Sequence, residues 1–165
     1  MKKEELDVQK KKLIEQLGVH YEASNLAPLA ARIFATLILT GSKGVTFDEL
    51  VMDLSAAKSS ISTHLDHLQS TNRVRYYTKS GDRKRYFIIN PDLMLNIIDE
   101  KITTWENEKK LHEKILDYKK KRNALTKESE GYQFDLDFQK DFLTLLDETT
   151  AAVKKFKSRI ITRNT

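Results

Sequence analysis

After Asn90-Pro91 the chain runs to about Glu128 without a glycine or proline, and that stretch constrains the fold most. Asn90 as cap with Pro91 at the first helical position predicts a helix start. Leu95, Ile98, Ile102 and Trp105 then step at three, four and three. Leu111, Ile115, Tyr118, Arg122 and Leu125 resume the rhythm after a phase slip of the coiled-coil stutter kind. A helix of roughly 38 residues extends on the order of 57 Å at 1.5 Å per residue. That is too long to lie against the domain the preceding residues can build, so its apolar stripe needs a partner. Gly131 breaks the run, and Phe138, Phe142, Leu145, Leu146, Val153, Phe156 and Ile160 line a second helix too short to cover everything. Dimerisation through these helices is the simplest remedy.

The residues before Asn90 read as smaller pieces. Residues 2 to 22 form a charge-rich amphipathic helix on Leu6, Leu13, Ile14, Leu17 and Tyr21, with Gly18 a candidate early end. Leu26, Leu29, Ala30, Ile33, Phe34, Leu37 and Ile38 repeat at three and four, with Pro28 in the first turn, until Gly41-Ser42-Lys43-Gly44. Thr46 and Glu49 have capping-box spacing ahead of a short helix whose inward face is Phe47, Leu50, Val51 and Leu54. A third helix carries Ile61, Leu65 and Leu68 on one side. Arg73–Thr78 and Arg85–Ile89, rich in β-branched and aromatic residues, flank Lys79-Ser80-Gly81-Asp82 and predict a β-hairpin.

Several function classes drop out. The 165 residues contain no cysteine, which excludes a disulfide scaffold, a thiolate metal cluster and a cysteine nucleophile. Five glycines leave no phosphate-cradling loop. His64 and His67 lack a third ligand, so no metal is expected, and no cofactor is called for. Neither a nucleophile–base pair nor clustered carboxylates occur, and an enzyme is not expected. The charged start has no signal-peptide pattern, and the longest apolar stretch, Ile33 to Leu39, is too short to span a bilayer. A cytoplasmic protein without a membrane partner is the expectation.

Charge is unevenly placed. Residues 55 to 90 carry Lys58, Arg73, Arg75, Lys79, Arg83, Lys84 and Arg85 against Asp66 and Asp82, a net +5 that equals the formal charge of the whole chain. With Ile61, Leu65 and Leu68 inward, Ser59, Thr63, Asp66 and Ser70 point outward, flanked by Ser62 and His67. Short hydroxyls are poor helix formers, but they let a helix approach base edges and phosphates closely, and a helix N-terminus favours anions. The tip Gly81-Asp82-Arg83-Lys84-Arg85 suits a wing in a minor groove, with Asp82 expected to pair with one of its basic neighbours. The candidate DNA-binding residues are Lys58 on phosphate, Ser59, Ser60, Ser62, Thr63 and His67 in the major groove, and Arg83, Lys84 and Arg85 on the wing.

The runs Leu29-Ala-Ala-Arg-Ile-Phe-Ala-Thr-Leu, Val45-Thr-Phe-Asp-Glu-Leu50, Lys58-Ser-Ser-Ile-Ser-Thr-His-Leu65 and Gly81-Asp-Arg-Lys-Arg-Tyr-Phe87 resemble the GbsR-like branch of the MarR-type winged helix-turn-helix transcriptional regulators. The resemblance covers about residues 26 to 90. It implies a bacterial homodimer that binds a double-stranded DNA operator, with flanking helices at the dimer interface. Two departures stand out: Ala31 where relatives often carry glycine, and Ala57 where a capping serine is common.

The expected architecture is mainly α with a small β-hairpin wing. Residues 1–24 form an N-terminal helix that caps a core or a partner, 25–90 the winged helix-turn-helix domain, and 91–165 a long helical hairpin for dimerisation. A protein-interaction adaptor built on the same fold is the alternative. A small-molecule effector is a further candidate partner without an assigned site. Trp105, Tyr118, Tyr132 and Phe134 could cage a cation but are read as core or interface.

Overall fold

A computed structural model of the protein describes residues 3–126 and 131–163, and the chain divides into two compact units, Met1–Leu93 and Met94–Thr165. In the first unit, α1 (Lys3–Glu22), α2 (Pro28–Thr40) and a 3-10 turn (Gly41–Lys43) lead to β1 (Val45–Thr46) and α3 (Phe47–Asp53). Then come α4 (Lys58–Ser70), β2 (Val74–Thr78) and β3 (Arg85–Ile89). The three strands form an antiparallel sheet in the order β1-β3-β2, with Val45 and Tyr76 on either side of Phe87. The architecture is mainly helical, with a hairpin wing.

Helix α2 is the hub. Ala30, Ala31, Ile33, Phe34 and Leu37 are buried in one core with Leu50 of α3, Ile61, Leu65 and Leu68 of α4, Val74 of β2 and Phe87 of β3. Ala31 has no exposed surface at all. Thr36 is equally buried, and its hydroxyl donates to the Arg32 carbonyl at 2.8 Å, so no polar group is stranded.

Gly18 does not end α1, which continues to Glu22. A Cβ at position 18 would stand 3.0 Å from Cγ of Arg32, so the glycine makes room for that side chain. Arg32 then bridges Glu15 at 2.9 Å and Glu22 at 2.6 Å, which raises its pKa, the Glu15 hydrogen bond foremost. Docking on α2 outweighs the roughly 1 kcal/mol that glycine costs within a helix.

The capping box forms. Thr46 Oγ1 accepts from the Glu49 N–H at 3.3 Å, and the Glu49 carboxylate accepts from the Thr46 N–H at 2.7 Å. That backbone donor holds the Glu49 carboxyl below the usual range. Strand β1 is not predicted by the sequence, because two residues are too few to show alternation. Gly44 permits it: φ is +71°, and a Cβ would lie 3.1 Å from the Phe87 carbonyl oxygen.

The second unit is a helical hairpin of α5 (Leu93–Leu125) and α6 (Asp137–Arg163). Helix α5 starts two residues after Pro91, because Asn90 Oδ1 accepts from the Asp92 N–H at 3.1 Å and makes a turn there instead of a helix cap. Its 33 residues extend about 50 Å; Glu128, the expected end, lies outside the described residues. Pairs between Asp99 and Lys157, Glu106 and Lys154 (2.7 Å), and Lys109 and Asp147 (2.5 Å) run in opposite sequence directions, so the helices are antiparallel. Asn123 closes the hairpin, its side chain donating to and accepting from the backbone of Phe134, both at 2.8 Å. Buried Gln139 bridges His112 Nδ1 and the Lys119 ammonium. Leu111, Tyr118, Leu125, Phe138, Leu145 and Phe156 remain exposed.

Candidate nucleic-acid interface

The core fixes the orientation of α4. Burial of Ile61, Leu65 and Leu68 leaves Lys58, Ser59, Ser62, Thr63, Asp66 and His67 exposed, with Ser60 and His64 half-buried. Ala57 occupies the N-cap position in extended geometry and makes no side-chain capping bond. The first ladder bond of the helix is from the Ile61 N–H to the Ala57 carbonyl at 3.0 Å, so the amides of the first turn have no intrahelical acceptor. The Thr63 hydroxyl donates back to the Ser59 carbonyl at 3.0 Å, which leaves its lone pairs and methyl for an incoming ligand.

The wing is braced along its length. One pair short of the end of the strands, the Tyr77 hydroxyl donates to the Lys43 carbonyl at 2.8 Å and the Tyr77 ring stacks on Tyr86, centroids 5.5 Å apart. Further out, the Lys79 ammonium sits 3.8 Å from the Tyr86 ring centroid and the Arg85 guanidinium 4.5 Å from that of Tyr76. Gly81, at φ +77°, turns the chain.

Asp82 does not pair with Arg83, Lys84 or Arg85 through their side chains, contrary to expectation. Its carboxylate accepts from the Tyr86 hydroxyl at 2.7 Å and from the Lys84 N–H at 2.9 Å. Local turn donors lie within reach without ordering a long flexible side chain, and they win. Those two bonds, that of Tyr86 first, lower the Asp82 pKa, and the Tyr86 phenol is raised in return. The acid therefore shapes the turn and leaves the cations around it unneutralised by an ion pair.

Arg83 and Arg85 share a cleft of about 310 Å³ with Phe47 of α3 and Ser62, Asp66 and Gln69 of α4. The outward face of α4 and the wing thus form one surface. Lys58 and His67 lie on the exposed side of α4 outside the cleft, and Lys84 projects from the exposed tip. Gln69 and the tyrosine brace are not among the residues the sequence pattern points to; the alternation Tyr76, Tyr77 against Tyr86, Phe87 is the available signal for the brace. Elsewhere, Tyr118, Tyr132 and Phe134 meet, with centroids 6.4 and 5.8 Å apart, but Trp105 makes no ring contact with them and Lys119 already lies 5.8 Å from the Phe134 ring. The four-ring cage does not assemble. Among the described residues no group of three His, Asp or Glu could hold a metal ion.

The fold and this surface together define a winged helix-turn-helix domain joined to a long helical hairpin. No protein-family profile matches the chain. A stretch of 79 residues is 29% identical to the HTH-type transcriptional regulator MmpR5 of Mycobacterium tuberculosis, and this stretch spans about half of each protein (48%). A crystal structure of a transcriptional regulator superposes over 93% of this chain and 99% of its own, at a TM-score of 0.53 and 20% identity, a likeness of fold. No helix among the described residues is long and apolar enough to cross a membrane.

Proposed function

We propose that the protein is a transcriptional regulator that binds specific double-stranded DNA as a homodimer, in the manner of the GbsR-like branch of the MarR-type regulators. The observation that carries this reading is the shared cleft: Arg83 and Arg85 of the wing stand beside Ser62 on an α4 face made of short hydroxyls. Helix α4 enters the major groove with Ser59, Ser60, Ser62, Thr63 and His67 toward base edges, while Lys58 and the uncapped first-turn amides take a phosphate. Arg83, Lys84 and Arg85 enter the adjacent minor groove. The helices of residues 91–165, aided by 1–24, pair two copies so that the recognition helices meet successive major grooves about 34 Å apart. The similarity to an HTH-type transcriptional regulator supports the same reading.

Capture and sequencing of genomic fragments by the purified full chain tests it. The expected result is enrichment of an inverted-repeat site, with Thr63→Ala altering the preferred bases. Recovery of fragments with no common sequence would overturn specific DNA binding and favour the adaptor.

A further inference from the structure

The formal charge outside residues 55–90 sums to zero, which hides a segregation along α6. Its first half carries Asp137, Asp141, Asp147 and Glu148 against Lys140. From Thr149 to Arg163 it carries Lys154, Lys155, Lys157, Arg159 and Arg163 and no acid. Two of these cations are spent within the hairpin, Lys154 on Glu106 and Lys157 on Asp99. Lys155, Arg159 and Arg163 are exposed, hold no ion pair among the described residues, and recur every four residues along one side.

These three side chains line a shallow surface concavity of about 380 Å³ together with Ser158 and Thr162. Attraction to the negative end of the helix accounts for Arg163, in the last turn, but it fades within a turn and does not reach Lys155. The hydroxyls of Ser158 and Thr162 donate to backbone carbonyls at 3.1 and 2.9 Å, so the donors facing outward are the cations. The three cations are spaced about 6 Å apart along the helix axis, about twice the rise of roughly 3.4 Å per phosphate of one strand measured along the duplex axis. The floor of the concavity is mostly the aliphatic stems of these side chains, so the charged ends are the polar groups they offer a ligand.

We propose that Lys155, Arg159 and Arg163 form a second, sequence-independent contact with the phosphate backbone of duplex DNA. The proposal rests on the DNA-binding reading above and adds affinity without adding sequence preference.

The test is the salt dependence of full-chain binding to a long duplex containing the captured site, followed by fluorescence anisotropy. Lys155→Gln, Arg159→Gln and Arg163→Gln are combined in one protein; glutamine keeps helix propensity, and circular dichroism checks the fold. The slope of log affinity against log salt is expected to shrink by about 2 to 3 per protomer, roughly 0.9 per lost phosphate contact, with the preferred sequence unchanged. The charge-preserving set Lys155→Arg, Arg159→Lys and Arg163→Lys restores the slope. An unchanged slope in the glutamine variant overturns the proposal and leaves the DNA-binding reading standing. An unchanged slope with loss of binding to polyglutamate reassigns the strip to an acidic protein. Failure of the unaltered protein to bind duplex at low salt overturns both readings.

Discussion

The chain has two conspicuous basic runs, Lys79 to Arg85 in the wing and Lys119 to Arg122 on α5, and they end in different circumstances. On α5, Lys121 pairs with Asp117 at 2.6 Å and Lys119 is turned inward onto Gln139 and toward Phe134, which leaves Lys120 and Arg122 exposed without an ion pair among the described residues. In the wing, the local acid is engaged by a tyrosine and a backbone amide, while Lys79 and Arg85 lie on aromatic rings that leave their charge intact. What a basic run can do therefore depends on where the neighbouring acid spends its lone pairs. Local charge counts missed this, since the α6 strip sits in a region that sums to zero.

The largest effect expected from breaking this arrangement is on the scaffold behind α4. Leu65→Ala removes a side chain that is 2% exposed, and should destabilise the first unit by about 2–5 kcal/mol in chemical denaturation. A loss under about 1 kcal/mol would mean that α4 is not held by the core. On the hairpin side, Asn123→Ala strips both backbone partners from Phe134 and should cost about 1–3 kcal/mol. Its duplex affinity should stay unaltered in the anisotropy titration, because Asn123 sits at the closed end of the hairpin, at the opposite end of α6 from Lys155, Arg159 and Arg163.

A smaller effect concerns pH. Because the folded Asp82 carboxyl is lowered, its contribution to wing order is fully present above the unfolded carboxylate pKa and is lost as pH falls through the lower folded value. Carbon-detected NMR titration should place Asp82 below an ordinary aspartate, with Tyr86 titrating above an ordinary phenol. An ordinary Asp82 midpoint would mean that the bonds to Tyr86 and Lys84 do not form.

The order of helices, the Thr46–Glu49 box and the hairpin were legible in the sequence, because periodicity and cap spacing are local signals. What escaped depends on distant partners. Gly18 reads as a stop until Arg32 is brought beside it, and Val45-Thr46 becomes a strand only when β3 lies alongside. At the candidate site, the outward direction of Ser59, Ser62 and Thr63 followed from the buried stripe of α4. The partner of Asp82 did not, because proximity in sequence offered three cations and the fold supplied Tyr86 instead. The run at Asn90-Pro91 misled for a related reason, since Asn90 also donates to the Asn72 carbonyl at 2.9 Å and anchors a turn.

The most direct measurement compares the salt slopes of duplex binding for three proteins: unaltered, wing-neutralised (Arg83, Lys84 and Arg85 to Gln) and α5-neutralised (Lys119, Lys120, Lys121 and Arg122 to Gln). The wing variant should bind roughly tenfold or more weakly near physiological salt and lose about 2 to 3 from its slope per protomer, while the α5 variant keeps the unaltered slope. Equal losses in the two variants, or a loss confined to the α5 protein, would contradict a reading head built from α4 and the wing.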